Sequence, residues 1–350
     1  MNASKIKMSA FIPYILCLNV LLFLRDFVNI AVPPIFFLVI AVLVAVFLDK
    51  KEIIAFCFCC IPALNAFQSK YALWMCMLIY IIRFVRKPKI YTHFIPVIFL
   101  AFWEIVHGFV VETSYVEVLR LFTELSFCCF IGCLAGEDFD FEKTVRSMSF
   151  TAVCVCFIIL LSQLKENGYN MNLLFSGVFR LGYGVDETKM SVGFNPNYLA
   201  YICLCCIEGL AYIIYKKKQN VFDAVFIAIL SVFGLLTMSK KFVLCLLIFL
   251  VLFFFCRKGK IKNLLLILAI ITLVAIVMKR VFPSASDSLI LRFSEDDMST
   301  GRNDIFAYYS EKLLEDWDLL LFGVGLQNYE IKLLTRYRSS IPHNGFQELL

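Results

Sequence analysis

Apolar runs of roughly 15–22 residues recur along almost the whole chain, and about eleven of them can be delimited, which leaves few folds open to it. They fall at 10–24, 27–48, 53–67, 71–85, 91–111, 118–135, 147–164, 198–215, 221–237, 242–256 and 263–278. A stretch of this length and apolarity with few charges reads as a membrane helix, and several fall short of the ~20 residues an untilted crossing needs. Their polar flanks must then dip in, or the bundle must thin the bilayer. With 61% hydrophobic and 17% charged residues and a mean hydropathy of +0.84, the chain departs from soluble-domain usage. The expected fold is all-α: a polytopic membrane bundle of about 11–12 spans. Its expected organisation is a bundle over 1–278 with an outer loop at 165–197, a large extracytoplasmic loop over 279–342, and the start of a further span at 343–350.

Lysine and arginine in the short loops set the orientation. With the N-terminus cytoplasmic, Lys5, Lys7, Lys50, Lys51, Arg86-Lys87-Pro88-Lys89, Lys143, Arg146, Lys216-Lys217-Lys218 and Arg257-Lys258-Gly259-Lys260 all lie inside. The opposite loops carry Arg25 and Lys70, and Glu112 to Glu117 has no basic residue. The same alternation sends 165–197, Met238 to Lys241 and 279–342 outward. The formal net charge of +6 is thereby a topology signal, and with no base-stacking aromatics organised beside the basic residues it gives no case for nucleic acid. The basic N-terminus and first apolar run lack a small-residue cleavage site, and Arg25-Asp26 leads directly into the next run, so a first membrane helix is expected rather than a signal peptide.

All fifteen cysteines sit inside apolar runs, so no disulfide framework is implied. Cys-x-Cys-Cys occurs at Cys57, Cys59 and Cys60 and again at Cys203, Cys205 and Cys206. Successive helical positions point about 100° apart, so such thiols do not converge on one ion and are read as packing residues. Neither a metal nor an organic cofactor is expected. Glu104, Glu124 and Glu208 within the runs are costly in lipid unless paired or facing a polar cavity. Glu104 and His107, three apart, can satisfy each other.

The outward segments hold the residues suited to chemistry. Asn195 before Pro196 is an N-cap followed by a first-turn proline, and the helix start it opens favours anions, with Asn197 in the first turn. Arg180 in the same loop can clamp phosphate oxygens. Ser239-Lys240-Lys241 forms a tight hairpin whose two cations oppose the dipole of the helix they begin, a cost relieved by an anion between them and otherwise by snorkelling to headgroups. Asn303 to Trp317 has helical spacing, with Ile305, Tyr308 or Tyr309, Leu313 and Trp317 on one face, Ser299 or Thr300 as cap, and Arg302 in the first turn. Phe322-Gly323-Val324-Gly325 has Asn328 where a dinucleotide fingerprint needs a third glycine, so Gly323 and Gly325 are read as a tight reversal. Glu295-Asp296-Asp297 is read as a solvated loop. His343 stands at the outer boundary, where a base is reachable from water and lipid.

Together these pieces resemble the O-antigen polymerase and O-antigen ligase superfamily of bacterial membrane glycosyltransferases. Arg180 with Gly193-Phe-Asn-Pro-Asn-Tyr-Leu-Ala200, Leu236-Thr-Met-Ser-Lys240, Ser299-Thr-Gly-Arg302-Asn-Asp-Ile-Phe306 with Leu321-Phe-Gly-Val-Gly325, and His343-Asn344-Gly-Phe-Gln-Glu-Leu-Leu350 occur in the family's order. The chain departs from the family at Lys240, where arginine is usual and a planar fork is replaced by a point charge. It also stops at Leu350, early in the helix after His343, which the resemblance makes a C-terminal truncation. The resemblance implies polymerisation of undecaprenyl diphosphate-linked repeat units into O-antigen, capsular or exopolysaccharide on the outer face of a bacterial cytoplasmic membrane. Arg302, Arg180 and Lys240, with Arg292 in support, would hold the departing diphosphate, and His343 would activate the acceptor hydroxyl. Donor and acceptor glycans on lipid, membrane lipid, a chain-length regulator and a flippase are the partners implied. Ligase-type transfer of a finished glycan to another acceptor is the alternative, and a non-enzymatic transporter of lipid-linked sugars the second; the latter predicts inverted repeats and a charged bundle centre, neither of which the sequence displays.

Overall fold

A computed structural model describes residues 11–63, 67–85, 92, 95–110, 122–123, 125–135, 138–175, 179–182, 195–216 and 221–255, with isolated positions between 276 and 315. The described residues are helical and contain no strand. They form α1 (Phe11–Asp26), α2 (Pro34–Phe47), α3 (Lys50–Cys60), α4 (Phe67–Phe84), α5 (Ile95–Val110), α6 (Phe141–Glu166), α7 (Pro196–Lys216), α8 (Val221–Leu236) and α9 (Lys240–Phe255). The chain divides into two compact units, one of Met1–Phe84 with Asp138–Phe293 and one of Val85–Glu137 with Ser294–Leu350.

In the first unit α6 is the axis. It is 26 residues long, about 39 Å at 1.5 Å per residue. Asp140 caps its start by accepting from the Lys143 amide at 3.1 Å, and Lys165 in its last turn complements the dipole. On α6 lie α3, α7, α1 and α8, while α2 pairs with α4 and α9 rests on α7 and α8. At Gly209 of α7 the Val145 side chain presses onto the backbone, so the absent Cβ sets how closely α6 and α7 approach. Among the described residues two helices, α6 and α7, are long and apolar enough to cross a membrane by length and composition.

Helix boundaries correct the apolar runs wherever proline or a cap intervenes. The run 27–48 is not one helix: Asn29 takes a left-handed φ of 65°, and α2 begins only at Pro34, whose missing N–H is harmless at a first position. The run 53–67 also breaks. A capping box, Asp49 with Glu52 (2.9 Å from the Glu52 amide), opens α3, and after 11 residues the chain tightens into a 3-10 turn over Ile61–Ala63 around Pro62. At ~16 Å, α3 covers about half the ~30 Å of a bilayer core. Ile53 to Cys57 of α3 are fully buried, at the centre of this unit. The run 147–164 extends in both directions, to Phe141 and Glu166.

Helix ends sort into two groups. Lys143 reaches Glu52 at 3.3 Å, Lys50 reaches Asp138 at 3.1 Å, and Arg146 reaches both Asp223 and Glu142. These join the starts of α3, α6 and α8. At the opposite end of α6, Ser162 donates to the Asp26 carbonyl at 3.4 Å and Lys165 to that of Phe27 at 2.8 Å. Lys50, Lys143 and Arg146 thus share one end and Arg25, Lys165, Arg180 and Lys240 the other, the same partition that the loop charges give.

The described part of the second unit contains α5 and a shorter apolar helical stretch, Leu125–Leu134. Phe99 and Trp103 stack along α5 with centroids 6.5 Å apart. The expected last run 263–278, the helix 303–317, most of the loop 279–342 and the span start at 343–350 lie outside the described residues, as do Glu124 and the side chains of Glu104 and His107.

Candidate functional site

The last turn of α6 carries a buried amide, Gln163, 4% exposed. Its Nε2 donates to the Arg180 carbonyl at 3.1 Å and its Oε1 accepts from the Gly182 amide at 3.0 Å. One side chain therefore satisfies the backbone on both flanks of Leu181, and a buried donor and acceptor that would otherwise cost ~1–3 kcal/mol each are paired. Leu181 itself donates to the Leu236 carbonyl at 2.8 Å, so the loop 179–182 is stitched to the end of α8. Gly182 takes a φ of 90°, open to glycine alone at little cost.

Fixed in this way, the Arg180 guanidinium lies across the α8–α9 turn. Nε donates to the Thr237 carbonyl at 2.9 Å and Nη2 to Asn197 Oδ1 at 3.3 Å. Asn197 Oδ1 also accepts from Ser239 Oγ at 3.0 Å. Asn195 caps α7 through its Oδ1, which accepts from the Asn197 amide at 2.9 Å, and Pro196 follows in the first turn as its sequence demands. Three segments far apart in sequence thus meet through Asn197: the loop 179–182, the start of α7 and the start of α9.

The α8–α9 turn is itself built tightly. Thr237 donates to the Gly234 carbonyl at 2.6 Å and accepts from the Ser239 amide at 3.3 Å. Met238 is buried with a left-handed φ of 52°, a position that costs a non-glycine residue energy and closes the reversal. Phe242 of α9 packs onto Gly234 of α8, where an added methyl group would overlap its ring. Ser239 is then the residue before α9, Lys240 its first, and Lys241 its exposed second.

The arrangement gathers a guanidinium, an ammonium and two helix starts at one end of the unit. The bonds from Arg180 to Thr237 and Asn197 go to neutral oxygens and orient the guanidinium. Backbone N–H groups in the first turns of α7 and α9 add positive potential there. Such a site suits a phosphate-bearing ligand. No protein-family model, curated protein or solved structure matches the chain.

Of the residues expected to act, Arg180, Asn195, Asn197 and Lys240 are therefore near neighbours in the fold or belong to elements bonded together. Arg292, Arg302, Gly323, Gly325 and His343 lie outside the described residues. Gln163 and Thr237 bind the site together without having been singled out as actors. Gln163 had a signal: an amide in the final turn of the apolar run 147–164 needs a partner in any fold that buries it. Thr237 had none beyond its place beside the tight turn. The described cysteines are free thiols within helices, and Cys156 and Cys203 face one another across α6 and α7 at 3.8 Å.

Proposed function

We propose that this chain is a multi-pass protein of a bacterial cytoplasmic membrane, N-terminus inside, that polymerises undecaprenyl diphosphate-linked repeat units into O-antigen, capsule or exopolysaccharide on the outer face. The meeting of Arg180, Asn197 and Ser239 carries the reading. It joins two of the four segments on which the resemblance rests, and phosphate-binding chemistry requires them together. The apolar runs and the loop charges support the membrane placement. So do large apolar side chains exposed on the helices, among them Val20, Phe36, Phe47, Phe102, Val232 and Leu252, since soluble surfaces avoid extended patches of that kind.

In the reaction the acceptor sugar hydroxyl oxygen attacks the anomeric carbon of the donor glycan as the bond to the diphosphate oxygen breaks, with inversion. The hydroxyl proton passes to His343, and undecaprenyl diphosphate departs with the bonding pair. Negative charge grows on the leaving oxygen, and Arg180, Lys240 and Arg302, with Arg292 in a supporting role, would stabilise it more in the transition state than in the ground state.

The test is made in the bacterium that carries the gene, deleted and then restored with the wild-type chain or Arg180→Ala at matched membrane abundance. The outcome expected is surface glycan reduced to single repeat units on deletion and on Arg180→Ala. Accumulation of long lipid-linked chains would replace the reading with ligation, loss of all outer-face glycan would replace it with transport, and unchanged chain length would end it.

A further inference from the structure

At the end of the first unit remote from Arg180, a cavity of about 580 Å³ opens between the starts of α1 and α6. One wall is apolar, with Ile15 buried and Ile12 and Leu16 exposed at 41% and 46%. The other wall is the first two turns of α6 with the residue before it, and carries Asp140, Glu142, Lys143 and Arg146.

Depth along α6 separates these two walls into two chemistries. A helix of 26 residues, about 39 Å, exceeds the ~30 Å hydrocarbon layer by ~9 Å, or about six residues. With its last turn at the far interface, the surplus is the segment from Phe141 to Arg146, which then lies at headgroup depth, while Phe150 lies among acyl chains. The cavity is therefore amphipathic along the membrane normal. Its charged wall holds two anions and two cations, and Glu52 and Asp223, which hold Lys143 and Arg146 from the far side, make carboxylates outnumber cations there. The side chains of Lys143, Arg146 and Glu142 are 31%, 33% and 27% exposed, so they face the cavity while bracing α3 and α8.

We infer that this groove binds one phospholipid of the leaflet opposite Arg180 whose headgroup is zwitterionic with a primary amine, as in phosphatidylethanolamine. The phosphodiester meets Lys143 and Arg146, the ammonium donates to Asp140 and Glu142, and one acyl chain runs along Ile12, Ile15 and Leu16. A wall of mixed sign in which carboxylates outnumber cations gives an anionic headgroup no net attraction, and a quaternary amine offers no N–H to the carboxylates. The inference rests on the membrane placement proposed above and on no part of the glycosyl-transfer chemistry.

Native mass spectrometry of the full chain, released in mild detergent and offered equimolar phosphatidylethanolamine, phosphatidylcholine and phosphatidylglycerol, tests it. One phosphatidylethanolamine should be retained ahead of both others. Leu16→Trp, or Ile12→Trp if the first variant folds poorly, should cut that retention roughly tenfold, the loss expected when about two buried methylenes are displaced. Equal or better retention of phosphatidylglycerol, no retained lipid, or full retention by a well-folded tryptophan variant would overturn it. A chain found in the aqueous fraction after lysis sinks the membrane placement itself, whereas a membrane-borne chain lacking the amine-lipid preference sinks the groove alone.

Discussion

The two ends of the first unit hold their cations through different sets of acceptors. At the end holding the starts of α3, α6 and α8, cations meet carboxylates: Arg146 binds Asp223 through Nε and Nη2 at 2.8 and 2.7 Å, and Lys143 and Lys50 bind Glu52 and Asp138. At the other end, Arg180 is oriented by a carbonyl and a carboxamide, and Lys165 by the Phe27 carbonyl. Arg25, paired with Asp26 at 2.8 Å, is an exception there. Charge-to-charge pairing fixes helices to one another. Neutral acceptors such as the Thr237 carbonyl and Asn197 Oδ1 fix a cation's position without themselves adding an opposing charge, as a binding site for an anion needs. The difference separates an end that holds the bundle from an end suited to act.

The sharpest way to break that contrast is to delete one cation at each end and compare what fails. Arg180→Ala should lower polymer formation by about 10²–10³-fold, the range for loss of one pre-oriented donor to transition-state charge, while the melting temperature of the detergent-purified protein stays nearly unchanged. Arg180→Lys should recover only part of the activity, since a point charge cannot bond Thr237 and Asn197 together. Arg146→Ala should do the reverse. It leaves the Asp223 carboxylate, 2% exposed, without its two-pronged partner and should cost about 2–3 kcal/mol, below the ~3–5 of a fully buried pair because Arg146 is itself partly solvated. Thermal unfolding and membrane yield read this second loss. If Arg146→Ala spares stability, or Arg180→Ala collapses it, the contrast between the ends is wrong.

Sequence reached the acting end further than the holding end. Arg180, Asn195 and Lys240 stand out because polar residues that interrupt apolar runs are conspicuous, and a cap followed by proline dictates its own geometry. The helix starts at Pro196 and Lys240 follow directly. Pairings across helices were not legible: nothing in the spacing of Arg146 and Asp223 announces that α6 and α8 begin side by side. Local chemistry also governs where the runs misled. Hydropathy continues through Pro33-Pro34 and Pro62, but the backbone does not, so α2 starts late and α3 ends early. Gln163 lay between, visible as a polar residue in an apolar run and meaningful only once the loop 179–182 is seen folded over it.

A smaller effect separates the bond network from the charge. Asn197→Ala removes the oxygen that Arg180 and Ser239 share but keeps the guanidinium tethered to Thr237. Activity should fall about tenfold, as one positioning hydrogen bond of ~1.5 kcal/mol is lost, with the charge still present. Asn197→Asp should fall at least as far, because a carboxylate at 3.3 Å from Nη2 would turn the acting end into a copy of the holding end. Should Asn197→Asp exceed the wild type, the neutrality of the acceptor is not what the site requires.

The smallest expected change tests the holding end through a helix cap that adjoins one of its ion pairs. Asp49→Ala removes the cap of α3, whose Oδ1 accepts from the Glu52 amide at 2.9 Å, and leaves the return bond from the residue 49 amide to the Glu52 carboxylate, which also meets Lys143 at 3.3 Å. Loss of the cap alone costs about 1 kcal/mol. Because the first turn of α3 then frays and carries Glu52 with it, the bond to Lys143 should weaken as well, by the few tenths of a kcal/mol typical of a part-exposed pair. A double-mutant cycle of Asp49→Ala with Lys143→Ala measures that coupling. A coupling of zero would mean that the cap and the ion pair act separately, and that the holding end is a set of independent contacts rather than a network.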